Sequence, residues 1–173
     1  MDVIITSESP EDFDSITKIH NLAFKQPNEG KMVIELRKNP LFISKLSIVA
    51  KYNEIVVGHV LFFPIKIRSK SKISTSLSLA PMAVHPDFQN KGIGGKMVKE
   101  GFKIAKNLGF NSVIVVGHPN YYPRFGFKPA SKWGITLPFD VPDKAFLAVE
   151  LQKDGLKNCS GVVEYPSEYE AAL

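Results

Sequence analysis

Apolar positions along this chain follow two periods, and the period changes wherever turn residues stand. Residues 3–6 form a short β-branched run, which predicts a first or edge strand. Ser9-Pro10-Glu11-Asp12 then reads as a helix start. Serine can cap, proline fits the first helical position, and two acids meet the positive end of the dipole. Phe13, Ile16, Ile19, His20 and Ala23 follow at helical spacing and predict a buried stripe. Gln26-Pro27-Asn28-Glu29-Gly30 reads as a break. Met32, Val33, Leu36 and Ile34 mark a second helix that ends at Asn39-Pro40. Residues 46–52 and 55–67 predict two strands joined by a tight turn at Asn53-Glu54. Gly58 suits a bulge in that hairpin, and Pro64 suits a bulge or an edge.

Residues 77–127 organise the rest. Ser78, Leu79, Ala80, Met82, Ala83 and Val84 give a mostly apolar run, too short for a helix. It extends a strand over residues 74–84, which His85-Pro86-Asp87 stops. Next comes Gln89-Asn90-Lys91-Gly92-Ile93-Gly94-Gly95. Lys96, Met97, Val98, Phe102, Ile104, Ala105 and Leu108 then carry a roughly helical pattern. A glycine-rich turn that opens a helix is an anion site. The first N–H groups lack intrahelical partners, they add to the dipole, and glycine lets a phosphate come close. The expected ligand of residues 90–96 is therefore a phosphate or pyrophosphate. The spacing excludes G-x-x-x-x-G-K-[ST], and it lacks the third glycine of G-x-G-x-x-G.

Residues 112–116 predict another strand, with Gly117-His118-Pro119-Asn120-Tyr121-Tyr122-Pro123-Arg124-Phe125-Gly126-Phe127 after it. Trp133-Gly134-Ile135 leads into an irregular segment at 137–142. Residues 145–151 and 161–164 predict the last strands, and Tyr165-Pro166 ends them. The strand–helix alternation between hairpin-like strands predicts an α/β (α+β) fold, a mixed sheet with helices on both faces. No linker, repeat or low-complexity stretch breaks residues 1–173, so one domain is expected.

At 173 residues the chain can bury a real core. Its apolar runs fall short of a membrane span, and its acidic start lacks the basic opening of a signal peptide. Cys159 stands alone, so no internal disulfide can form, and a cytoplasmic location is expected. The net charge of +5 suits an anionic ligand, but the lysines are scattered and no nucleic acid is expected. No cluster has metal-ligand spacing, so no metal is expected. Lys66, Arg68, Lys70 and Lys72 alternate with Ile67, Ser69 and Ser71. They read as a solvated strand end, or as a basic rim for an acidic ligand.

Gln89-x-x-Gly92-x-Gly94 after a strand ending in Ala-Val-His-Pro resembles motif A of the GCN5-related N-acetyltransferases (GNAT). Tyr122-x-x-x-Gly126-Phe127 resembles a second motif of that superfamily, and the two come in the family's order. The wording is most similar to a bacterial subgroup of predicted N-acetyltransferases. The resemblance implies a mostly antiparallel central sheet of about six to seven strands. It also implies acetyl-coenzyme A as co-substrate and direct acetyl transfer to an amine acceptor, a small molecule or a protein. In such enzymes Asn90, Lys91, Gly92, Ile93, Gly94 and Gly95 would hold the pyrophosphate, with Gln89 and Lys96 also binding the coenzyme. Met82, Ala83 and Val84 would pair with the pantetheine arm, with the Met82 N–H facing the acetyl carbonyl. Tyr122 would be the general acid, with Tyr121 the alternative phenol, and residues 24–31 would contact the acceptor. Asn120 contacts the coenzyme or caps the short turn after it.

The chemistry needs a deprotonated amine, an oxyanion donor and a proton for the thiolate. No carboxylate stands on the strands at 74–84 or 112–116. His118 and His59 remain as bases, since an imidazole titrates in the useful range, and a water chain is the other choice. Cys159 lies outside both motifs, which speaks against an acetyl-cysteine intermediate. A non-catalytic acetyl-coenzyme A sensor is the alternative that the missing carboxylate favours. The acceptor and the oligomeric state, a homodimer included, stay open.

Overall fold

The computed structural model describes residues 1–172. They pack as two compact units. One holds residues 1–63, 80–104 and the end of the chain from 167, and the other holds 64–79 and 105–166.

In the first unit, β1 (Ile4–Ser7) pairs antiparallel with β2 (Ser47–Tyr52), and β2 with β3 (Ile55–Arg68). The last residues of β4 (Ile73–Val84) lie beside β3. Asn53 and Glu54 both take positive φ, 48° and 66°, which suits a two-residue hairpin turn. The expected bulge is present. Ala50 faces Gly58 but Lys51 faces Val56, so Val57 is the extra residue. The bulge resets the alternation of β3. A Cβ on Gly58 would lie 3.0 Å from Met97 Cε of α3 (Ile93–Asn107). Phe62 also meets α3, edge-on to Phe102 at 6.3 Å and over Gly101, whose missing Cβ leaves the ring its room. His59 and Phe63 turn the other way, to His20 and Tyr169.

On that other face lie α1 (Phe13–Phe24) and α2 (Asn28–Lys38). Ile16 and Ile19 of α1 join Val33 of α2, Val49, Val56 and Ala83 in one buried cluster. Each aliphatic side chain as large as these stabilises the fold by about 1.5–3 kcal/mol. The break between the helices is shorter than the sequence predicts, because α2 begins at Asn28. Lys25 ends α1 with φ 57°. Gly30 is a packing residue, since a Cβ there would stand 2.8 Å from Asn21 Oδ1 and 3.3 Å from Thr17. The chain end adds Tyr169, whose hydroxyl donates to the Ala80 carbonyl at 3.4 Å.

In the second unit, the start of β4 runs parallel to β5 (Ser112–Val116) at Leu77 and Ser78. α3 is the crossover that a parallel pair requires. β5 pairs antiparallel with β8 (Phe146–Glu150), and β8 with β6 (Lys128–Pro129). The end of β3 pairs with β9 (Gly161–Glu164), which also holds β7 (Ile135–Thr136). Pro64 falls between the β2 pairing, which ends at Leu61, and the β9 pairing, which starts at Lys66. A residue without an N–H is tolerated there. Ile65, Ile67, Ile114, Phe146, Ala148, Leu156 and Val163 form this unit's core. The class is as expected, a mostly antiparallel mixed sheet flanked by helices. Two of its strands, β6 and β7, are only two residues long, too short to leave a periodic signal.

Candidate active site

The turn after β4 is held from three sides. The His85 N–H donates to the Val57 carbonyl at 2.8 Å, and the Gln89 side-chain amide donates to the Val84 carbonyl at 3.0 Å. Phe88 is braced by Tyr52 and His85, with centroids at 5.9 and 5.8 Å. Asn90 and Gly92 take positive φ, 61° and 78°. Nothing would meet a Cβ on Gly92, so its glycine answers a backbone need and not a steric one. The Lys96 N–H donates to the Gly92 carbonyl at 3.2 Å as α3 begins. The amides of Ile93, Gly94 and Gly95 precede that bond, at the positive end of the helix. Ile93 turns its side chain inward, at 2% exposure, and leaves its backbone to the loop. Gln89, Asn90, Lys91, Gly92 and Lys96 are exposed, and no acid stands in the first turn of α3. A loop so arranged can receive an anion. Just upstream, Ala83 is buried in the cluster with α1 and α2 while Met82 and Val84 are half-buried.

In the second unit, β5 ends at Val116, and the Gly117 N–H donates to the Ala145 carbonyl at 2.9 Å. The His118 carbonyl accepts from the N–H groups of Tyr121 and Tyr122. A short 3-10 turn, Tyr122–Phe125, follows, and Gly126 closes it at φ 93°. The Tyr122 ring lies on the Gly117 backbone, where a Cβ would come within 2.5 Å. Tyr121 and Phe127 meet it edge-on, and it is 8% exposed. Burial pushes its hydroxyl well above the usual phenol range, with Tyr121 adding to the effect. Tyr121 is half-buried, and burial raises its pKa against the pull of Arg124. Arg124 stacks 4.5 Å over the Tyr121 ring and donates to its carbonyl at 2.8 Å. Both phenols hold their protons at pH 7. His118 and Asn120 are exposed. Tyr121 is the N-cap of the turn and no side chain caps it, so Asn120 does not have the capping role.

His59 is not a surface base. It is fully buried, with Nδ1 2.8 Å from His20 Nε2, and Nε2 2.8 Å from Ser47 Oγ and 3.8 Å from Glu8 Oε2. Glu8 in turn accepts two bonds from Arg37, at 2.8 and 3.0 Å, and Arg37 lies 3.8 Å over the Phe13 ring. Burial, then the Arg37 charge, pushes the His20 pKa down to about 4. Burial, then His20 and Arg37, holds His59 well below its ordinary value. Both imidazoles are neutral at pH 7. His20 Nδ1 is buried with no hydrogen-bond partner. The sequence pattern placed His20 in a stripe but gave no sign of its partner His59, which comes from β3.

The basic strand end is a solvated edge: Arg68 pairs with Glu164, Lys72 donates to the Asn158 carbonyl, and Lys66 and Lys70 are exposed. Among the described residues no group of three His, Cys, Asp or Glu side chains could hold a metal ion, and no helix is long and apolar enough to cross a membrane.

The chain matches a family model described as an acetyltransferase (GNAT) domain over residues 5–130. It is 33% identical over 141 residues to YjhQ of Escherichia coli K12, named an uncharacterized N-acetyltransferase, covering 81% of this chain and 77% of that protein. A crystal structure of the GNAT family N-acetyltransferase YhbS of Escherichia coli, in complex with CoA, superposes with a TM-score of 0.89 at 28% identity. The match covers 97% of this chain and 92% of that one. A GNAT family acetyltransferase of Brucella melitensis, crystallised with acetyl-CoA, gives 0.78 at 28% identity, over 97% and 98% of the two chains.

Proposed function

The chain belongs to the GNAT acetyltransferase family, and from that premise we propose that it transfers the acetyl group of acetyl-coenzyme A directly to an amine acceptor in a ternary complex. The observation that carries this is the loop at residues 89–96. Asn90 and Gly92 take positive φ just before α3, Lys91 and Lys96 are exposed and add charge, and no acid stands in the first turn of α3. The structures of YhbS with CoA and of the Brucella protein with acetyl-CoA support the same ligand here.

The roles are those that the resemblance to the family implies. The pyrophosphate sits on the amides of residues 90–95, flanked by the lysines. The pantetheine arm pairs with the backbone of Met82, Ala83 and Val84 as an added strand. A backbone N–H of that segment, that of Met82, donates to the thioester carbonyl and stabilises the oxyanion. The neutral amine attacks the carbonyl carbon, the C–S bond breaks, and the departing thiolate takes the Tyr122 proton. Burial keeps that phenol protonated until a thiolate forms beside it. The amine's own proton leaves to His118, directly or through water. Asn120 contacts the coenzyme.

Thiol release from acetyl-coenzyme A, measured across a panel of amines, tests this. Tyr122→Phe is expected to lower kcat by about 10²-fold or more while the coenzyme still binds. Unchanged turnover in that variant would move the acid to Tyr121 or water. Tight coenzyme binding with no turnover on any small or peptide amine would favour the sensor instead.

A further inference from the structure

The end of the chain reaches the strand that carries the oxyanion donor. Residues Ser167–Ala172 form a 3-10 segment that packs on α2. The Glu168 carboxylate accepts from the side-chain amide of Asn39, the C-cap of α2, at 2.7 Å. The next residue, Tyr169, is 5% exposed and meets the Phe63 ring edge-on at 6.3 Å. Packing thus fixes the ring, and the hydroxyl donates to the Ala80 carbonyl at 3.4 Å, across 89 positions of sequence. A bond of that length adds little to stability. What it can set is a direction.

Pro81 alone separates Ala80 from Met82. A peptide unit is planar, so the direction of the Ala80 carbonyl fixes the plane that ends at the Pro81 nitrogen and Cα. The pyrrolidine ring then holds φ of Pro81 at about −65°. One torsion, ψ of Pro81, is left between the Ala80 carbonyl and the Met82 N–H. Pro81 also offers no N–H to a neighbouring strand, so the ladder loses a bond at this point. Pro81 is buried, and past Met82 the chain is pinned again by Ala83 in the cluster with α1 and α2. Turning the Ala80 carbonyl therefore turns the Met82 N–H.

We propose that Tyr169 is a positioning residue for acetyl transfer: by holding the Ala80 carbonyl, its hydroxyl aims the Met82 N–H at the thioester carbonyl. This rests on the acetyltransferase reading above, in which that N–H is the oxyanion donor. Such a donor works through its placement, and losing one outright costs about 10²–10³-fold in kcat. Tyr169 sets the placement without itself donating to the substrate. Its loss costs part of that factor and leaves coenzyme binding intact.

Tyr169→Phe removes the hydroxyl and keeps the ring. Infrared difference spectra of acetyl-coenzyme A, isotope-labelled at the thioester carbonyl, read the donor without any acceptor, because a hydrogen bond lowers that stretching frequency. The wild type is expected to lower it relative to the free thioester, and Tyr169→Phe to return it most of the way. With an amine that the wild type acetylates, kcat should fall about tenfold, while KM and Kd for acetyl-coenzyme A and the urea midpoint hold. Glu170→Gln, an exposed neighbour on the same segment, should change none of these. A full shift retained in Tyr169→Phe, or an unchanged kcat, overturns the proposal and leaves the acetyltransferase reading standing. A kcat that falls together with the urea midpoint and the coenzyme affinity makes Tyr169 structural, and also overturns it. If the wild type binds acetyl-coenzyme A with no shift, Met82 is not the donor and the proposal falls with that role. If it does not bind acetyl-coenzyme A, the coenzyme reading itself fails, and calorimetry on the same samples tells these two failures apart.

Discussion

Two polar regions of the first unit are built by opposite means. The loop at residues 89–96 is mostly backbone. Its donors are amides, its shape comes from Asn90 and Gly92 at positive φ, and its residues are largely exposed. The line of Glu8, Arg37, Ser47, His59 and His20 is all side chain, and it is almost shut from solvent. Water satisfies the loop until a ligand replaces it, so the loop costs the fold little. The buried line must satisfy itself, and removing one member strands the others. Damage to the loop should therefore appear in ligand affinity, and damage to the line in folding.

The largest effect is expected from Arg37→Met. It leaves the Glu8 carboxylate, 2% exposed, without its cation. Breaking a buried pair from one side costs about 3–5 kcal/mol, read as a fall in the urea midpoint. Adding Glu8→Gln should return part of that loss, because the stranded charge is then gone. The fraction that stays folded should bind acetyl-coenzyme A within twofold of wild type. A variant that folds normally but loses the coenzyme would erase the distinction between the two regions.

Acid should act on the same line. The folded His20 pKa, about 4, lies below its ordinary value of 6.5, and His59 is shifted in the same direction. The folded state thus binds fewer protons than the unfolded chain. The stability is complete above pH 6.5 and is lost as pH falls towards 4. The His20 shift alone is worth roughly 3 kcal/mol. Chemical denaturation between pH 7.5 and 4.5 should show this slope, and His20→Leu should flatten it. A slope unchanged in that variant would place the acid sensitivity elsewhere.

Gly94→Asp is the converse. A carboxylate in the first turn of α3 repels a pyrophosphate and fills the space that glycine leaves. Acetyl-coenzyme A should bind about 100-fold more weakly, roughly 2.7 kcal/mol. The unfolding free energy should stay within about 0.5 kcal/mol of wild type, because Gly94 is only half-buried and an acid in a helix's first turn suits the dipole. Unchanged affinity would remove the loop from the coenzyme site.

The same contrast decides what could be read in the sequence. The loop and the Tyr122 turn are local: strand end, glycines and helix start follow each other within a few residues, so their order spells the geometry. The hairpin turn at Asn53-Glu54 is local too. The buried line joins residues 29 and 39 positions apart, and no window shows that His59 would be sealed under His20. Its imidazole therefore read as a free base. Gly30 misled for a related reason. Glycine signals a break in sequence, but here it serves close packing of α2 on Thr17 and Asn21.

The smallest effect is expected where geometry alone would predict a large one. Arg68 and Glu164 repeat the chemistry of Arg37 and Glu8, with Nε 3.0 and 2.9 Å from the two carboxylate oxygens. They differ in exposure, 50% and 44% against 13% and 2% for the inner pair. Water solvates both outer partners when the pair opens, and salt screens what attraction remains. The Glu164 pKa is lowered, first by the hydrogen bond from Arg68, yet little of that reaches the stability of an exposed pair. Arg68→Ala should leave the urea midpoint unchanged within error and the coenzyme affinity intact. A loss comparable with that of Arg37→Met would mean that bond geometry, and not burial, sets the strength of these pairs, and the contrast drawn from the buried line would fail with it.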